Sequence, residues 1–132
     1  DALQREALKL PHLAYEAPTN HYFHGGMYCR EVYRDADVTI VGRVHKKEHF
    51  YFVTLGTVLV TTDEGVNRYS APMVFMSKPG TKRAVYAETA AVCMTVHRTD
   101  AKTVEEAEEE LVEKDEMIMF DAYNKLKTGV LQ

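Results

Sequence analysis

Between residues 27 and 99 apolar and polar positions alternate over short stretches broken by turn residues. Segments 28–33 (YCREVY), 38–42 (VTIVG), 49–55 (HFYFVTL), 57–61 (TVLVT), 72–76 (PMVFM), 82–87 (KRAVYA) and 91–97 (AVCMTVH) are rich in Val, Thr, Tyr and Phe. β-Branched and aromatic residues in period-two order favour strands, because successive side chains point to opposite faces. Asp35-Ala36-Asp37, Asp63-Glu64-Gly65 and Pro79-Gly80 supply turn chemistry between them. Short strands at this spacing predict an all-β sandwich or barrel.

The flanks read differently. Residues 1–26 hold a short helical pattern (Ala2, Leu3, Ala7, Leu8, Leu10), then Pro11, Pro18 and NHYFHGG, which predicts an arm leading into the domain. From residue 100 an acidic helix is expected. Thr103 stands three residues before Glu106, at capping-box spacing, with acids in the first turn. Lys125 and Lys127 precede Gly129, a helix stop. The expected organisation is therefore an arm (1–26), a β-barrel domain (27–99) and an acidic helical extension (100–132). The run 49–55 is apolar on both faces, since Phe50 and Phe52 alternate with Tyr51, Val53 and Leu55. A strand wetted on one side should alternate with polar residues. A cover is thus expected from the carboxyl helix or from a second copy, making a homo-oligomer the expected state. Residues 100–132 could also dock on a protein partner.

Composition narrows the class. The 132 residues suffice for one domain with a core, and 45% apolar with 27% charged residues is ordinary for a soluble globular protein. A net charge of −4 argues against general affinity for nucleic acid or anionic membrane. No run approaches the ~20 apolar residues of a membrane helix, and the charged amino end does not read as a secretory signal. Cys29 and Cys93 lie in separate apolar segments; one disulfide is possible, and two buried thiols in a cytoplasmic protein is the simpler expectation.

The chemistry-bearing residues sit around one stretch, GRVHKKEHFYFVTLG at 42–56. It resembles the first motif of the cupins, G-x5-H-x-H-x3,4-E-x6-G. Counting back from Gly56, His49 falls on the family's Glu, His45 on the second His and Arg43 on the first His. SKPGTKRAVYA resembles the second motif, G-x5-P-x-G-x2-H-x3-N, without the spacer between Pro79 and Gly80 and with Arg83 where the His would be. The resemblance covers about residues 27–98 and implies a jelly-roll barrel. The set GRVHKKEH, PGTKRA and VHRTD before an acidic helix is also similar to small cupin-like proteins of phages and their hosts, which implies a cytoplasmic or virion-associated protein.

The metal site that the resemblance implies uses three His and one Glu, of which this chain keeps His45 and places a different ligand type at His49. Arginine cannot lose its proton to serve as a ligand. A unit charge pair at about 6 Å and an effective dielectric near 20 is worth roughly 3 kcal/mol, and a divalent ion doubles it. Unless Glu31 or Glu48 neutralises them, Arg43 and Arg83 turn the pocket toward an anion. Val41, Arg43 and His45 share a face if the extended pattern continues, so Arg43, His45, His49 and Arg83 are the candidate ligand-binding residues. Arg43 and Arg83 could instead pair with Glu31, Glu48 or Glu88 at the barrel mouth.

His97 opens the other possibility. It shares a face with Cys93 and Thr95, opposite Val92, Met94 and Val96. If the small polar face lines the cavity, His45, His49 and His97 make a three-imidazole site for Zn, Fe, Mn or Ni. His21 and His24 read as part of a loop anchoring the arm. G-x-S-x-G, phosphate-loop, paired C-x-x-C and H-E-x-x-H signatures are all lacking. The depleted metal motif and long extensions favour a non-catalytic binding or assembly module, with a phage-related assembly as one setting and no cofactor. The alternative is a small enzyme, metal-dependent through the three histidines or metal-free with a His general base.

Overall fold

The structure, a computed structural model, describes residues 17–113. Among these residues nine antiparallel strands form two sheets. β1 (Thr19–His24), β2 (Met27–Arg34), β9 (Ala91–Arg98), β4 (His49–Leu55) and β7 (Met73–Ser77) lie side by side in that order. β3 (Val38–Val41), β8 (Ala84–Ala87), β5 (Thr57–Thr62) and β6 (Gly65–Ser70) make the second sheet. Without β1, the two four-strand orders are those of a double Greek-key jelly roll.

Two strands have no counterpart in the periodic pattern. Residues 19–24, expected in the arm, form β1 at the edge of the five-stranded sheet, joined to β2 through Gly25-Gly26. Both glycines have positive φ (56° and 79°), as a two-residue hairpin of primed type requires. Asn20, Tyr22 and His24 face solvent, so this edge strand carries little apolar signal. β6, GVNRYS, is likewise an exposed edge. The remainder of the arm, residues 1–16, lies outside the described residues.

Apolar side chains of both sheets meet in a core of Tyr51, Val53, Val58, Val60, Val85, Ala87, Ala91 and Cys93. Gly56 ends the first motif with φ 78°, and a Cβ there would collide with the Ala90 carbonyl oxygen, so only glycine fits. Cys93 points into this core while Cys29 lies on the other face of the sheet, and both are free thiols.

The carboxyl helix is shorter than its pattern. α1 spans Val104–Leu111, opened by the Thr103 side chain accepting from the Glu106 N–H, and Val112 is already extended. The stop expected at Gly129 and the later apolar residues lie outside the described residues. Val104, Ala107 and Leu111 are buried against Tyr28 and Phe23 at one end of the sandwich. α1 therefore closes that end and leaves the outer face of β4 uncovered: Phe50 is 54% exposed, with Val74 and Met76 beside it on β7 at 50% and 51%. No helix among the described residues is long and apolar enough to cross a membrane.

Candidate metal centre and cationic cavity

Strand register builds the site. Alternation turns His49, Tyr51 and Val53 of β4 and Cys93, Thr95 and His97 of β9 inward, and all six are buried. Pairing of Phe50 with Val96 puts His49 and His97 at the next step along neighbouring strands. Tyr28 on β2 pairs with His97 from the other side. The small polar face of β9 thus lines the interior, as the metal reading requires.

His45 arrives from the link between β3 and β4. An isolated bridge to Val112 just past α1 holds its backbone, and Lys46 N–H donates to the Leu111 carbonyl at 2.7 Å. The three rings stack with centroids 4.3 Å (His45–His49), 4.1 Å (His49–His97) and 4.9 Å (His45–His97) apart. One nitrogen of each lies within 4.8 Å of the others. His45 Nδ1 and His97 Nε2 are 2.8 Å apart, so one carries a proton and the other a lone pair. His49 Nδ1–H donates to the Lys47 carbonyl at 3.1 Å, which leaves Nε2 as a lone pair. That Nε2 and His97 Nδ1 are buried without a hydrogen-bond partner among the described residues.

Burial keeps these rings neutral. It pushes His45 well below the usual imidazole range, with His49, His97, Arg30 and Arg83 adding repulsion. His97 is lowered to about 3 by burial, then by His49 and Lys47. His49 is lowered by burial too, partly offset by its bond to Lys47. Neutral imidazoles with orphaned buried nitrogens are the donor set a divalent ion takes, so the residues present fit a metal.

The arginines divide. Arg43 lines the cavity at its rim, where it is bonded to the Glu108 carboxylate at 2.8 Å and to the Glu113 carbonyl at 3.1 Å. β3 ends at Val41, so Arg43 reaches the cavity from the link after that strand rather than from the strand itself. Its partner is on α1 rather than Glu31, Glu48 or Glu88; Glu31 faces Tyr33 and Glu88 pairs with Arg68. Arg83 is buried, donating to the Ser77 hydroxyl with its guanidinium 5.3 Å above the Tyr51 ring. His21 and His24 are in β1, not a loop; His21 Nδ1 lies 2.5 Å from the Tyr28 hydroxyl.

The motif reading missed Arg30 and Arg34. Both share the inward face of β2 with Tyr28 and Val32, and both line a cavity of about 100 Å³ between the sheets. The signal was present: Arg30 and Arg34 stand two positions before and after Val32, in phase with that inward-facing residue.

Comparison with solved structures places this architecture. A cupin-superfamily protein from Desulfitobacterium hafniense is 9% identical over 64% of this chain and 79% of its own, with a TM-score of 0.56. An RmlC-like cupin from Shewanella frigidimarina is 13% identical over 67% and 81%, again with a TM-score of 0.56. The fold is that of the cupins. The DMSP lyase DddQ from Ruegeria pomeroyi is also similar, at 14% identity and a TM-score of 0.57 over 67% of this chain and 49% of that one. No family model and no curated protein matches the sequence.

Proposed function

We propose that this cupin-fold chain binds a divalent metal through His45, His49 and His97 and acts on a small molecule in the adjoining cavity. The supporting observation is the buried cluster itself: three imidazole nitrogens within 4.8 Å, two rings carrying nitrogens that find no other partner. An open imidazole site of this kind supplies Lewis-acid chemistry toward an oxygen of a bound molecule. The chain's own residues hold and orient: the Lys47 carbonyl fixes the His49 tautomer, and the Val112 bridge holds His45. Burial and the neighbouring cationic groups keep His45 neutral, with a lone pair free to ligate. Metal analysis of untagged protein tests this. The expected result is stoichiometric Zn, Fe, Mn or Ni that is lost in His49→Ala and His97→Ala; absence of metal after loading would overturn it.

A second reading, self-assembly, draws on the exposed apolar face of Phe50, Val74 and Met76. A second copy covering that face would make the chain a homo-oligomer, in a phage-related assembly or elsewhere. Light scattering on wild type and Phe50→Glu tests it. A dimer converted to monomer supports it, and a monomeric wild type removes it.

A further inference from the structure

We propose that the inner end of the cavity binds a small organic carboxylate, its oxygens gripped by Arg34 and Arg83 with the Tyr51 hydroxyl as a further donor. Its hydrocarbon part would lie against Val32, Ile40 and Val85. This goes beyond the metal reading and rests on different side chains.

Four guanidinium groups, those of Arg30, Arg34, Arg43 and Arg83, line a space of about 100 Å³. Among the described residues Glu108 is the one carboxylate lining it, and Arg43 takes that at 2.8 Å. The charge on Arg34 and Arg83 is therefore left without an anion among the described residues. Arg34 Nε and Nη1 and Arg83 Nε are buried with no hydrogen-bond partner among the described residues. Tyr51 is 3% exposed, and its hydroxyl lies beside Arg34 and Cys93 without a well-formed hydrogen bond among the described residues. Both arginines act electrostatically on Tyr51, and Arg34 repels Arg83, so the two guanidinium groups share one region. Like charges in a low-dielectric space cost stability unless a counter-charge joins them. An arginine fork meets a carboxylate with two parallel bonds, and a neutral phenol adds a third. Burial holds the Tyr51 hydroxyl in its protonated, donating form. The walls select the rest of the ligand. Val32, Ile40, Val41 and Val85 line the same space, which suits a carbon skeleton better than a bare oxyanion.

The test is calorimetric titration of the full chain, treated with EDTA, with benzoate, succinate and inorganic phosphate as separate probes. Saturable binding of at least one carboxylate is expected. It should weaken about tenfold or more in Arg34→Met and in Arg83→Met, the loss of a charged hydrogen bond. Arg68→Met, at an exposed arginine paired with Glu88, should bind as wild type. Without a probe, Arg34→Met should melt higher than wild type, because an uncompensated buried cation is removed. A purely structural arginine would melt lower instead. No saturable carboxylate binding, binding of phosphate alone, or affinity unchanged in both variants would overturn the proposal. If a variant fails to fold, the wild-type titration decides by itself. Because the protein is metal-free throughout, carboxylate binding can stand when the metal reading fails, and the reverse.

Discussion

At one end of the sandwich Val53, Val58, Val60 and Ala87 meet in a buried apolar layer. At the other, the same sheets enclose imidazole, guanidinium, phenol and hydroxyl groups, of which His49 Nε2, His97 Nδ1, Tyr51 Oη and Thr95 Oγ1 have no partner among the described residues. The strands do not change between the two ends; β4 and β9 run through both, contributing Val53 and Cys93 to one and His49 and His97 to the other. Only the side chains on the inward register differ. The apolar end stabilises the fold by burial. The polar end costs stability, since unpaired buried polar groups lose water without replacement. A chain that keeps such groups beside a well-packed core has a use for them at that place.

Acidification should separate the two ends most widely. Imidazoles in the unfolded chain titrate near 6.5, whereas burial holds His97 at about 3 and lowers His45 in the same direction. The unfolded state therefore takes up protons first. Stability is complete above about pH 6.5 and is lost as pH falls toward 3, each excluded proton costing about 1.4 kcal/mol per pH unit. Urea melts of EDTA-treated protein from pH 7.5 to 4.5 should show this slope, and His97→Gln should flatten it by about one proton. A wild type with pH-independent stability would show that the rings are not buried neutral.

Gly56→Ala should come next. It strains a φ of 78° and drives a Cβ into the Ala90 carbonyl, for an expected loss of about 3 kcal/mol in a urea melt. It acts on the packed end, so bound metal per folded molecule should be unchanged. Thr103→Ala removes the cap of α1 at about 1 kcal/mol. Since α1 lies over the polar end, amide exchange should quicken in 104–111 and at Lys46, whose N–H bonds to Leu111, before it does at Val58. Arg43→Gln breaks the partly buried pair with Glu108 and should cost about 1 kcal/mol in the same melt. A larger loss would mean that the pair behaves as a buried one.

How much of this was legible depends on the signal each element carries. Strands that bury one face, such as 91–97, show their alternation, and the cap of α1 was readable at Thr103 and Glu106. The edge strands β1 and β6 bury too little to be seen, and β1 passed for an arm. His45 and His49 stood in one motif, but His97 lies 48 positions beyond His49 in the chain (97 − 49) and joins them only through the β4–β9 register. The motif put Arg43 at the cavity, but the partner that takes its charge there, Glu108, is 65 residues away.

The alternation of side chains determined by itself that this protein is an all-β sandwich or barrel, because periodicity is local; the jelly roll came only with the resemblance around Gly56. Which polar groups share the interior was decided only by tertiary structure. Charge and coordination depend on distances across strands, and strand pairing sets those distances.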